Sequence, residues 1–161
     1  MLPHVETDFF DFLLSVKYKL QTHLFVQDED NVVIGESADL AEYEKEYFPR
    51  MEILPARDDG NGYGSQRDLN HLYKFGIVGY IKRDSYQITE KDVKDIVAMG
   101  ELARSLIFSF HDDKQAGDSP CKKFDYLEPY PVLDFDFEIF AEISTFFLGF
   151  HANTQTKDTQ I

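Results

Sequence analysis

The sequence predicts an α+β domain, an antiparallel β-sheet with two main helices packed on it, and three observations carry that expectation. Apolar residues recur at three- and four-residue spacing in two long stretches, Asp8 to His23 and Thr89 to Phe110. They alternate at a two-residue beat in two others, His71 to Arg83 and Leu133 to Ile143. The first period is that of a helix with one buried stripe, the second that of a half-buried strand. The third observation is size: 161 residues, 43% of them hydrophobic, suit one domain that hides roughly 70% of its unfolded surface. The expected domain spans 1–152, and 153–161 is expected to be a loose tail.

Taken in order, Thr7 caps a helix whose first turn holds Asp8 and Asp11, where carboxylates favour the positive end of the helix dipole. Phe9, Leu13, Val16, Leu20 and Leu24 form its stripe. After a turn-rich connection, "SADLAEYEKEYF" reads as a short acidic helix capped by Ser37 and ended by Pro49. Met51 to Leu54 reads as a short strand stopped by Pro55. His71 to Arg83 is a longer strand with Tyr73, Phe75, Ile77 and Ile81 on one face. Between these strands, the turn signals Asp59-Gly60 and Asn61-Gly62 lie in a polar loop, Pro55 to Asn70, too long for a tight hairpin.

The second helix opens with Thr89 and Asp92 at capping-box spacing and continues through Val93, Ile96, Gly100, Ala103, Ile107 and Phe110. Gly100 costs a helix roughly 1 kcal/mol relative to Ala, so close packing against the sheet is its expected reason. Phe124 to Leu127 is expected to be a short strand. "LDFDFEIFAEI" then places Leu133, Phe135, Phe137, Ile139, Ala141 and Ile143 on one strand face. In "STFFLGF" the beat breaks, and a bulge, a bend or burial on both faces would accommodate Phe146 and Phe147.

Thirty acidic against sixteen basic residues give a formal net charge of -14, which repels phosphate backbones and anionic membranes alike. Such a charge suits solubility, a basic protein partner, or a surface that stays near DNA without sticking to it. The lone Cys121 admits no intramolecular disulfide and no cysteine zinc site. The N-terminal stretch has acids where a signal peptide has a basic start, and no membrane-spanning run is present, so a soluble compartment is expected.

Asp134, Asp136, Glu138 and Glu142 invite a metal-site reading. Alternate strand residues sit about 6.6 Å apart, at roughly 3.3 Å each, while calcium needs oxygens converging at about 2.3–2.6 Å. Acids in such a row diverge, and a hydrolase site would need ligands from another element. "GNGYGS" lacks phosphate-loop spacing and leads into a strand, where a phosphate cradle needs a helix start. The histidines lack HExxH spacing, and Cys121 has no hydrolase-like His beside it. No catalytic residue, metal or cofactor is expected.

The succession of a helix, "FPRMEILP", a polar loop, "HLYKFGIVGYIKR", the helix "DVKDIVAMGELARSLIFSF" and the strand "YPVLDFDFEIFAEIS" resembles the tail terminator and tail completion proteins of tailed bacteriophages, from about Asp8 to Phe150. The acidic stretch Gln27 to Tyr47 is longer than usual between first helix and first strand. The resemblance implies a structural virion protein at the tail or neck, made in the host cytoplasm, whose copies form a ring, a hexamer or higher. That ring would contact other tail, neck or connector proteins and let genomic DNA pass without tight binding. It implies no membrane partner. Asp134, Asp136, Glu138 and Glu142 are then the residues expected to face the channel, and Asp58, Asp59, Tyr63 and Arg67 those of an assembly loop. Two other readings stand beside it: an acidic DNA mimic that inhibits a basic nucleic-acid-binding protein, and a metal-dependent hydrolase using Asp134, Asp136 and Glu138.

Overall fold

The computed structural model describes residues 8–24, 31–59, 62–65, 68–108, 123–127 and 131–157. Their order is α1 (Asp8–Leu24), β1 (Val32–Ile34), two 3-10 turns (Leu40–Glu42 and Lys45–Tyr47), β2 (Arg50–Asp58), β3 (Gly62–Ser65), β4 (Asp68–Lys82), α2 (Glu90–Phe108), β5 (Lys123–Leu127), β6 (Leu133–Glu138) and β7 (Ile143–Lys157). The α+β class is as expected. The strands form one mixed sheet in the order β1-β2-β4-β7-β5, with β3 also paired to β4 and β6 to β7; only β1 with β2 is parallel.

Its spine is β4 against β7, an unbroken antiparallel ladder from Asp68↔Lys157 to Lys82↔Ile143. Fifteen residues per strand give a length of about 50 Å at roughly 3.4 Å each. Both helices lie on one face of the sheet. That face presents Met51 and Ile53 from β2, Tyr73, Phe75 and Ile77 from β4, and Phe146, Leu148, Phe150 and Ala152 from β7, all buried. Phe12, Leu13, Val16 and Leu20 of α1 and Ile96, Ala103 and Ile107 of α2 complete the core. The abundant aromatic residues stack there: Phe9 on Tyr73 at 4.2 Å and Phe75 on Phe150 at 5.1 Å between ring centroids.

Close approach decides two glycines. A Cβ on Gly100 would stand 2.8 Å from Leu133 Cδ1 and 3.3 Å from Phe146 Cγ, the sheet packing its position in α2 led us to expect. Gly79 sits opposite Phe146 in the ladder, and a Cβ there would overlap the Phe146 ring. At the N-terminus of α2, the Thr89 N–H and hydroxyl both donate to Asp92 Oδ2 at 2.9 Å, while the Asp92 N–H reaches Thr89 Oγ1 at 3.3 Å. The expected capping box is thus formed with Asp in place of Glu.

Several expectations are corrected. The acidic helix after Ser37 is instead a strap with two 3-10 turns. Lys82 Nζ takes the Tyr43 and Ala41 carbonyls at 2.7 and 3.2 Å, and the Ser37 hydroxyl, instead of capping, accepts from Arg50 Nε at 2.8 Å. Pro55 does not stop β2. Since β1 pairs only Met51 to Ile53, β2 is an edge strand by the time it reaches Pro55, where a missing N–H costs no ladder bond; the register then shifts before Arg57. The polar loop Pro55 to Asn70 is largely ladder, made of the end of β2, β3 and the start of β4. Finally, the strand expected from Leu133 to Ile143 ends at Glu138, and residues 139–142 turn the chain into β7.

That turn resolves the break in the alternating beat. It changes the phase, so that even residues of β7 face the helices: Phe146 is buried, Phe147 is 41% exposed, and no bulge interrupts the β4–β7 ladder. Strand β7 continues to Lys157, paired with the start of β4, so residues 153–157 of the expected tail are strand; 158–161 lie outside the described residues.

Candidate functional site

The sheet face away from the helices, together with the β6–β7 edge, holds three of the residues singled out in the sequence. Asp134, Asp136 and Glu138 share that face of β6, opposite Phe147, Thr145 and Ile143 of β7, and all three acids are exposed. Strand β6 pairs with β7 alone and leaves its other edge open among the described residues. Charged residues along an exposed edge discourage strand-to-strand aggregation, so these acids have a structural use whatever else they do.

Glu142 does not join them. It sits in the turn with a left-handed backbone, φ 57, and its carbonyl accepts the Arg83 N–H at 2.7 Å. Arg83, only 3% exposed, locks the turn from the end of β4. Its Nη2 donates to the Glu138 carbonyl at 3.0 Å and its Nη1 to Ser144 Oγ at 3.1 Å. At the tip so held, Ile139 is 50% and Phe140 100% exposed.

Of the expected assembly loop, Asp58, Asp59 and Tyr63 lie among the described residues. Asp58 ends β2 and meets His71 Nδ1 at 2.8 Å, whereas Asp59 meets Lys74 Nζ at 3.0 Å and also binds Arg57. The flanking Arg57 and Lys74 hold the Asp59 carboxyl below the usual carboxylate range. Tyr63 lies on β3, opposite Leu69, and Arg67 is outside the described residues, as is Cys121. Among the described residues no three His, Cys, Asp or Glu converge on a point where a metal ion would fit. No described helix is long and apolar enough to cross a membrane.

Sequence reasoning missed the acidic strap as a builder of structure. Glu52, 2% exposed between Met51 and Ile53, accepts from Tyr80 Oη at 2.8 Å and from the Ser37 N–H. Burial, and then this carboxylate, push the Tyr80 hydroxyl well above its ordinary value. Beside this pair, Asn31, Glu42, Tyr43, Glu44, Tyr47 and Arg50 line a cleft of about 480 Å³, with the Arg50 guanidinium 5.3 Å from the Tyr43 ring centre. The one legible sign was Glu52 itself, a charge on the alternating beat of a strand.

No protein-family model and no curated protein matches this chain. Among solved structures, a chain described as "Virion of native gene transfer agent (GTA) particle" is similar to it, with a TM-score of 0.45 and 9% identity over 87% of this chain and 91% of that one.

Proposed function

We propose that the chain is a non-enzymatic structural protein of a phage-like particle, which assembles with copies of itself into a ring at the tail or neck and there terminates the tail tube or joins tail to head. The observation that carries this reading is the β6–β7 hairpin. Among the described residues the outer edge of β6 is open and Phe140 is fully exposed at a tip pinned by a buried arginine, and a monomer gains nothing from displaying them. Copies or neighbouring tail, neck and connector proteins would cover the apolar part. The acids Asp134, Asp136 and Glu138 would face the channel and repel passing DNA, with Glu142 at its rim. The β2–β3–β4 end, with Asp58, Asp59 and Tyr63, and Arg67 beside it in sequence, would supply further subunit contacts. The protein would be made in the host cytoplasm and end in the virion.

The mass of the protein in solution, by light scattering across concentration followed by imaging of any large species, tests this reading. Closed rings support it; a strict monomer at every concentration counts against self-assembly. Replacing the channel acids together, Asp134→Asn, Asp136→Asn and Glu138→Gln, should leave thermal stability unchanged and reduce genome passage at least tenfold. Unchanged infectivity would remove them from the channel.

The net charge of -14 favours a second reading, an inhibitor that imitates DNA in the groove of a basic protein. Such a protein would stay monomeric or dimeric and bind a basic nucleic-acid-binding protein with an affinity that falls steeply as salt rises.

A further inference from the structure

The strap that replaces the expected acidic helix also walls the cleft beside Glu52. Its volume, about 480 Å³, lies within the roughly 300–1,000 Å³ of ligand sites and has room for one long side chain. The walls are set before anything binds: Lys82 holds the strap through the Ala41 and Tyr43 carbonyls, and the Ser37 hydroxyl holds Arg50 Nε at 2.8 Å. Asn31 is 6% exposed where it lines the cleft, and no described residue hydrogen-bonds its amide. An amide so buried calls for a partner, and the cleft is where one can enter. Glu42 and Glu44 also line it and form no ion pair among the described residues, since Lys45 is turned to Asp84 and Lys82 to the strap carbonyls. Arg50, the described cation of the lining, is already engaged by Ser37 and stands against the Tyr43 ring. Tyr47, 49% exposed, meets Tyr43 edge to face at 5.9 Å between ring centroids.

Two carboxylates without ion pairs, an exposed tyrosine ring and a buried amide are the groups that recognise a planar cation. We infer that the cleft takes an arginine side chain from a basic neighbouring protein, its guanidinium held by the Tyr47 ring and the Glu42 and Glu44 carboxylates, with the Asn31 amide oxygen as a further acceptor. Arginine suits this set better than lysine. Its flat group stacks on an aromatic face and presents five N–H donors to the oxygens around it, whereas an ammonium is a strongly hydrated point charge. Arg50 against Tyr43 shows the same pairing inside the chain. A second copy is the poorer occupant, because copies that each carry -14 repel one another, while the same charge draws a basic protein in. The inference goes beyond the ring reading and holds whether or not copies of this chain close into a ring.

Titration of the isotope-labelled protein with the peptide acetyl-Gly-Arg-Gly-amide, followed by amide NMR, tests it. Saturable shifts are expected at Asn31, at residues 42–47 and at Arg50, and the matching citrulline peptide, similar in shape but uncharged, should bind at least fivefold more weakly. Glu42→Gln together with Glu44→Gln should weaken the arginine peptide at least fivefold. Asp134→Asn together with Asp136→Asn removes as much charge elsewhere and should change its affinity less than twofold. Tyr47→Ala should weaken it at least threefold, with the melting temperature showing that each variant is folded. Shifts that do not saturate, or equal weakening by the two double variants, overturn the site and leave only the general attraction of an acidic surface. Tighter binding of the matching lysine peptide overturns the guanidinium assignment. If Glu42→Gln with Glu44→Gln alters the mass of the protein's own assemblies in light scattering, the occupant is a second copy and the basic partner is wrong. A protein that forms no rings yet binds the arginine peptide in this way keeps the site and loses the ring reading alone.

Discussion

At the residue scale, the Glu52–Tyr80 pair shows how one buried charge organises its surroundings. Tyr80→Phe removes the hydroxyl and leaves Glu52 Oε1 without that donor, while the Ser37 N–H still serves Oε2. A lost bond to a buried charged group costs about 1–3 kcal/mol, read as a lower midpoint in urea unfolding. Alkaline pH gives an independent check. Because burial and Glu52 raise the Tyr80 hydroxyl above its ordinary 10.0, the folded state keeps a proton that the unfolded chain releases. That stability is complete below about pH 10 and is lost as pH climbs above it. The melting temperature of Tyr80→Phe should therefore fall less between about pH 9 and 11 than that of the wild type. The two tight glycines should part company in the same assay. Gly79→Ala drives a methyl into the fully buried Phe146 ring and should cost about 1–3 kcal/mol or more. Gly100→Ala meets mainly the tip of the half-buried Leu133, which can turn aside, and gains helix propensity, so its change should stay within about 1 kcal/mol.

At the element scale, what the sequence disclosed depended on whether local pattern or tertiary contact chose the conformation. Both helices and β4 were legible because their apolar periods coincide with the faces they bury. The strap was not: its propensity is helical, and Lys82, forty residues on, takes the carbonyls a helix would use. The β6–β7 turn was hidden for a different reason. Ile139 and Ala141 continue the strand's alternation straight through it, and its left-handed position holds Glu142, where a turn signal would be Gly or Asn. Of the four acids proposed to face a channel, the three on β6 were placed on one face by the beat alone, whereas Glu142 required knowledge of that turn. Arg83 supplies what the local sequence lacks, so Arg83→Ala should unpin the hairpin. We expect a stability loss of about 2–4 kcal/mol for two hydrogen bonds from a buried cation, together with fast amide exchange at residues 138–144 and protected exchange in the β4–β7 ladder. Uniform loss of protection across both regions would mean that the hairpin does not open independently.

At the scale of the whole molecule, charge separates the two functional readings through the sign of a single slope. Copies that each carry -14 repel one another, so any self-association works against that repulsion and is held together by apolar contact. Salt shortens the reach of the repulsion, from about 30 Å at 0.01 M to about 10 Å at 0.1 M, and leaves the burial of Phe140 almost untouched. Raising salt from about 0.02 to 0.3 M should then tighten a ring, lowering the concentration at half assembly by roughly tenfold in light scattering. A DNA mimic binds through attraction between unlike charges, and the same change in salt should weaken its complex. Association that tightens with salt therefore supports the ring, and association that weakens in parallel with a basic partner's binding supports the mimic.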